Sequence, residues 1–197
     1  GIDDVLSAAA LNTYYVSGTG SDGNDGKSIA KAFRTLQKAH NLTNPGDTVW
    51  IMNGTYTSTT SDILSIYRTG APGQWIRYKA YPGQTPKLKA GNNNWQAIYF
   101  NGVSHILIEG LTLEGNNDNV TEARARTQLK DTNGDGKIDE MEPKPEYSGN
   151  GIGINADFGN LIKPSHHIII RKNTVYKFGG AGIYTYGADF VTLEDNV

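Results

Sequence analysis

Cysteine is absent from the 197 residues, which excludes a disulfide framework, a thiol nucleophile and a zinc–thiolate site. An excess of positive charge is missing too. Lys and Arg number 18 against 20 Asp and Glu, for a formal net charge of −2, so the chain has no general nucleic-acid-binding surface. No run approaches the roughly 18 consecutive apolar residues of a membrane span; stretches such as Ile168-Ile169-Ile170 are strand-sized. Neither an H-E-x-x-H zinc motif nor a Ser/His/Asp order of a nucleophilic triad is present. What the chain has instead is 24 glycines and 11 tyrosines, a turn-rich β composition. Its length suits one sizeable domain. The first residue is Gly1, not Met, which points to a trimmed start and leaves any export signal outside the sequence.

A β-rich run, Thr13 to Ser17, leads into the Gly/Asp/Asn cluster Gly18 to Gly26, which is turn chemistry. A helix is predicted from Ile29 to Leu42, where Phe33, Leu36 and Ala39 form one apolar stripe and Asn44-Pro45-Gly46 stops it. From Asp47 onward short strands alternate with Gly and Asn breaks. Two phosphate-loop look-alikes are turns. Gly18-Thr19-Gly20-Ser21-Asp22-Gly23 opens no helix, and Gly26-Lys27-Ser28 lacks the glycine five residues earlier, where Ser21 stands. The four histidines, His166-His167 among them, read as satisfied surface residues rather than ligands.

The decisive signal is a hidden repeat. Ile168-Ile169-Ile170-Arg171-Lys172-Asn173 matches Val191-Thr192-Leu193-Glu194-Asp195-Asn196 at a spacing of 23. Ile98 and Ile152 lie 54 residues apart, Ile152 and Ile183 lie 31 apart. Setting aside a polar insert, Asp118 to Ser148, and a loop, Phe158 to Ser165, brings both spacings to 23. The same two deletions bring Ile108 and Ile170 to 23. Coils of about 23 residues with two or three short strands each predict an all-β, right-handed parallel β-helix. Ile106 and Ile108, Ile168 and Ile170, and Val191 and Leu193 are its inward set on one sheet. Asn173 and Asn196 are expected to stack at a bend, their amides serving the turn backbone from coil to coil.

Three stretches carry a family resemblance: Tyr14 to Gly26, Phe33 to Ala39, and Asn44 to Tyr56, with Trp75 to Gly83 fitting the same pattern. They resemble the N-terminal module of secreted bacterial β-helix proteins of the pectate-lyase-like superfamily, which holds pectate, alginate and chondroitin lyases and some glycoside hydrolases. The resemblance implies a helix capping the first coil, a secreted or cell-surface location and a polysaccharide substrate. Family members commonly carry more coils, and no cap follows Val197. The chain 1–197 is therefore expected to be the N-terminal part of one longer domain that is monomeric when complete.

The strongest local motif lies in the 118–148 insert. Asp131-Thr132-Asn133-Gly134-Asp135-Gly136-Lys137-Ile138-Asp139-Glu140-Met141-Glu142 fits the EF-hand calcium-loop pattern without mismatch. Calcium takes six to eight hard oxygens. Side chains of Asp131, Asn133, Asp135 and Glu142, the carbonyl of Lys137, and Asp139 directly or through water would supply them, with Gly136 permitting the sharp turn. Ala123 to Lys130 is the candidate entering helix, while Pro143 and Pro145 forbid a normal exiting one. The alternative is a solvated acidic turn.

Strand alternation supplies a second candidate surface. With Ile98, Phe100, Ile152, Ile154, Ile183 and Thr185 facing inward, Tyr99, Gly153 and Tyr184 line up outside, beside a second column of Asn101, Asn155 and Tyr186. Tyrosine rings stack on sugar faces and amides bond hydroxyls, so this is a candidate glycan cleft; ordinary tyrosine usage in strands is the alternative. The superfamily resemblance implies β-elimination, in which a base removes the proton α to a uronate carboxyl and a cation neutralises that carboxyl. Lys177, aligned with Gly115 past the strand ending at Tyr176, is the candidate base. The runner-up function is a glycoside hydrolase on the same scaffold, with Asp157 and Asp189 as its carboxylates. A non-catalytic glycan-binding module is the third reading.

Overall fold

The structure is a computed structural model describing all 197 residues, Gly1–Val197. A short helix α1 (Ile2–Ser7) precedes β1 (Thr13–Val16), and helix α2 (Leu36–His40) follows it. The chain then winds. Its first full coil runs β2 (Thr48–Ile51), β3 (Thr55–Tyr56) and β4 (Asp62–Ile66); the second runs β5 (Ile76–Ala80), β6 (Lys87–Lys89) and β7 (Gln96–Asn101). The third begins with β8 (Ser104–Glu109) and β9 (Thr112–Glu114). There the insert departs, carrying α3 (Glu122–Arg126), β10 (Leu129–Lys130), β11 (Glu140–Met141) and α4 (Pro145–Ser148), before β12 (Asn150–Asn155) closes the coil. The fourth comprises β13 (Ser165–Arg171), β14 (Thr174–Tyr176) and β15 (Ile183–Tyr186), and β16 (Ala188–Glu194) follows.

Equivalent strands of successive coils pair in parallel. They build a long sheet, β1-β2-β5-β8-β13-β16, a sheet β4-β7-β12-β15, and a short sheet β3-β6-β9-β14. Among the strands, only β10 and β11 pair antiparallel. The register agrees with the inferred columns. Ile98 aligns with Ile152 and Ile183, Ile106 with Ile168 and Val191, and Ile108 with Ile170 and Leu193. The spacing is not uniform, however. Val49 pairs with Tyr78 and Ile76 with Ile106, spacings of 29 and 30 residues, because the bends of the earlier coils are longer.

The side chains of one parity meet in a single core of 26 buried residues along the axis. Tyr14, Val49, Tyr78, Ile108 and Ile170 form one continuous buried column; each such aliphatic side chain contributes about 1.5–3 kcal/mol on leaving water. At the last strand the inward set is less covered, with Leu193 of β16 52% exposed. The asparagines do stack. Asn173 Oδ1 accepts from Leu111 N at 2.9 Å, its Nδ2 donates to Ile108 O and to Asn196 Oδ1, and Asn196 Nδ2 donates to Ile170 O at 2.8 Å.

Two helical expectations need correction. Ile29 to Leu42 is not one helix: a 3-10 turn spans Ile29–Lys31, and α2 begins only at Leu36. Between them Phe33 pairs with β1, donating its N–H to Tyr15 O and accepting from Ser17 N. Strand pairing wins over helical propensity there, and Thr35 restarts the helix by accepting from Lys38 N. Likewise the helix expected at Ala123 to Lys130 is confined to α3, since Leu129 and Lys130 pair with Met141 and Glu140. His40 is a third departure. Far from lying on the surface, it is fully buried, accepting at Nε2 from Tyr67 N and Arg68 N while Nδ1 bonds the Tyr78 hydroxyl, and His105 is buried as well. Burial holds the pKa of His40 down to about 3, so it stays neutral.

Candidate functional site

The outer face of the β4-β7-β12-β15 sheet brings Ser65, Tyr99, Gly153 and Tyr184 into one row across four coils. Gly153 leaves room for the tyrosine: a Cβ there would come within 2.5 Å of the Tyr184 hydroxyl. The Tyr184 ring thus folds over the neighbouring strand. Its hydroxyl takes hydrogen bonds from Gln96 Nε2 at 2.9 Å and Asn155 Nδ2 at 3.2 Å. The second expected column is less uniform. Asn101 is half-buried, Asn155 is buried and occupied with Tyr184, and Tyr186 is exposed with its ring 5.3 Å from that of Phe158. Tyr99 and Tyr184 form the row, Tyr186 stands exposed beside it, and Asn155 positions Tyr184.

Two carboxylates act on Tyr99. Burial chiefly, then Tyr184, Asp62 and Asp157, raise its phenol pKa. Asp62, in register with Gln96, is pushed up to about 6 by burial, and its Oδ1 has no hydrogen-bond partner. It carries a proton well above the pH at which an ordinary carboxyl loses one. Alternation of the strand did not single it out. A groove of about 570 Å³ adjoins this end of the sheet, lined among others by Tyr67, Asn101, Asp157, Lys163 and His166. Asp157 and Asp189 are not at comparable bends: Asp157 closes a small loop through paired main-chain bonds with Lys163, whereas Asp189 lies within β16 opposite His166.

Lys177 sits past β14 in the left-handed region, φ 62°, aligned with Gly115, where a Cβ would strike its carbonyl oxygen at 2.0 Å. Its ammonium donates to Asp118 Oδ2 at 2.7 Å, a bond that raises its pKa. It thereby tethers the first residue of the insert.

Within the insert, Asp131 accepts from the N–H groups of Gly134, Asp135 and Gly136, Asn133 from Asp135, and Asp135 from Lys137. The bond from Gly136 foremost holds the Asp131 carboxyl below its usual range. Asp139 instead bonds the N–H and hydroxyl of Thr132, and Glu142 lies 3.8 Å from Lys130. All the side chains of the set are oxygen donors of the hard type calcium takes. No three Asp, Glu or His side chains in the chain converge as one metal-ligating group.

A family model for the Pel9A-like, right-handed β-helix region matches residues 14–181. The chain belongs to that family. Among solved structures, the GH136 lacto-N-biosidase from Eubacterium ramulus superposes with a TM-score of 0.60 at 16% identity, covering 90% of this chain and 30% of that one. A rhamnogalacturonan lyase superposes with a TM-score of 0.51 at 18% identity, covering 94% of this chain and 56% of that one. The pectate lyase Pel9A gives a TM-score of 0.45 at 14% identity, covering 96% and 55%. No curated protein gives a significant match. The first two likenesses establish the coiled fold, and this Pel9A-like chain spans about a third to just over a half of the length of those structures.

Proposed function

We propose that this chain forms part of an extracellular, calcium-dependent polysaccharide lyase that cleaves an acidic glycan such as pectate or alginate by β-elimination. The observation that carries the reading is the Tyr99–Tyr184 row on the β4-β7-β12-β15 sheet, two tyrosines in one row on the outer face of a Pel9A-like β-helix. In the reaction a base takes the proton α to the uronate carboxyl, and the glycosidic oxygen leaves from the β carbon. Lys177 can accept that proton only as the neutral amine, after its ammonium has itself lost a proton to solvent, a loss that the Asp118 pairing opposes. Asp131, Asn133, Asp135, the Lys137 carbonyl, Asp139 and Glu142 would hold calcium, which supplies charge neutralisation that orders the insert beside the sheet. For this, Asp139 must release Thr132 and Glu142 must turn from Lys130. Helix α2, whose Leu36 and Ala39 enter the core, acts as the cap of the first coil.

A specific observation supports a second reading, a glycoside hydrolase: Asp62 and Asp157 both act on Tyr99, and Asp62 keeps its proton to about pH 6, as a general acid requires. Incubation with pectate, alginate and chondroitin separates the two. Unsaturated ends absorbing in the near ultraviolet are expected; new reducing ends without absorbance would replace the lyase by the hydrolase, and retention without cleavage would leave a binding module.

A further inference from the structure

Arg77 of β5 lies on the long sheet, on the face opposite to its core neighbours Ile76 and Tyr78, and is only 4% exposed. Its Nη1 donates to the main-chain carbonyl oxygens of Val5, at 3.3 Å, and Ala8, at the end of α1. Its Nε and Nη2 have no acceptor in the protein, and no carboxylate offsets its charge: burial alone accounts for a lowered pKa. A guanidinium remains charged under such conditions, and a buried charge without a counterion is costly. Thr48 of β2, directly in register with Arg77, is 3% exposed, and its Oγ1 is buried without a hydrogen-bond partner. On the same face Lys79 lies 4.9 Å over the Trp50 ring and 3.8 Å from Glu109, a carboxylate that Arg171 already holds at 2.5 Å. A cavity of about 290 Å³ opens among Leu6, Ala8, Thr48, Trp50, Arg77 and Lys79.

We propose that this cavity is an oxyanion site, which takes a carboxylate or sulfate group of a small anion. Arg77 donates to it through Nε and Nη2, the planar fork that matches two oxygens of one group. The Thr48 hydroxyl donates a third hydrogen bond, Lys79 adds a second positive charge, and Trp50 forms the apolar wall. The site lies on a different sheet from Tyr99 and Tyr184 and does not rest on the lyase reading.

The test is a titration of the ¹⁵N-labelled full chain with sodium sulfate and, separately, sodium D-galacturonate, at ionic strength held constant with sodium chloride. Neutral D-galactose is the control, and the arginine Nε–H resonances are followed. One resonance, absent from Arg77→Met, is expected to shift saturably with at least one anion and not with galactose. Saturation with sulfate alone identifies an inorganic oxyanion as the ligand; saturation with galacturonate identifies an acidic sugar. Thr48→Val, which removes a hydroxyl that bonds nothing in the protein, is expected to weaken binding about fivefold, the value of one hydrogen bond. A shift that grows linearly with both anions, or unchanged affinity in Thr48→Val, overturns the proposal. Should Arg77→Met fail to fold, Thr48→Val decides alone.

Discussion

Asp62 shows how a single residue can set the pH response of the site. Unfolded, its carboxyl titrates near 3.8; folded, near 6, because burial disfavours the charge. Below about pH 4 it is protonated in both states and burial costs little. As pH rises through 6 the folded state must ionise a poorly solvated group, so its contribution to stability is lost over that window. Asp62→Asn is therefore expected to raise stability at pH 7.5 by about 1–2 kcal/mol and to change it little at pH 4. Urea melts at the two pH values check this; equal effects at both would remove burial as the cause. Gly153 makes a complementary case. A methyl group there displaces the outer end of the Tyr184 ring rather than backbone, so Gly153→Ala is expected to cost less than about 1.5 kcal/mol. It should nonetheless weaken retention on an acidic-glycan affinity gel, because the ring leaves its row.

Among the elements, the bend ladder and the insert differ in what holds them. Asn173 is buried and serves Leu111, Ile108 and Asn196 at once. Asn173→Ala strands buried main-chain groups and is expected to cost about 2–4 kcal/mol, against about 1 kcal/mol for the more exposed Asn196→Ala, measured by thermal melts. The insert is held instead by hydrogen bonds open to solvent, since its loop, residues 131–142, is exposed throughout. Calorimetry is expected to show calcium uptake that Asp131→Ala and Glu142→Ala abolish; equal uptake by all three chains, or none at millimolar calcium, leaves a solvated turn. What could be read from the sequence follows the same division. The inward isoleucines and the Asn173–Asn196 pair were legible because each coil must present the same side chain to the same neighbour. The break at Phe33 was not, since its partner is β1, distant in sequence. Nor was Asp62, whose unusual titration comes from packing among other coils and leaves no local pattern.

At the scale of the whole molecule, each coil contacts only its neighbours, so stability is close to a sum of coil and interface contributions. Ile106, fully buried between Ile76 and Ile168, tests this. Ile106→Ala is expected to cost about 2–5 kcal/mol. Amide exchange should quicken most in β5, β8 and β13 and least in β1 and β2. Uniform loss of protection along the chain would show instead that the coils open as one unit.

The place where the insert leaves carries its own consequence. In the fourth coil, six residues join β14 to β15, while 35 join β9 to β12 at the equivalent bend, yet Ile152 and Ile183 remain in register. Closing a flexible loop costs only about 0.6 kcal/mol for each doubling of its length. A sixfold longer connection therefore adds roughly 1.5 kcal/mol, less than one well-buried isoleucine repays. Such a bend acts as a socket: new chemistry can be plugged into the rim while the stack beneath keeps its alignment.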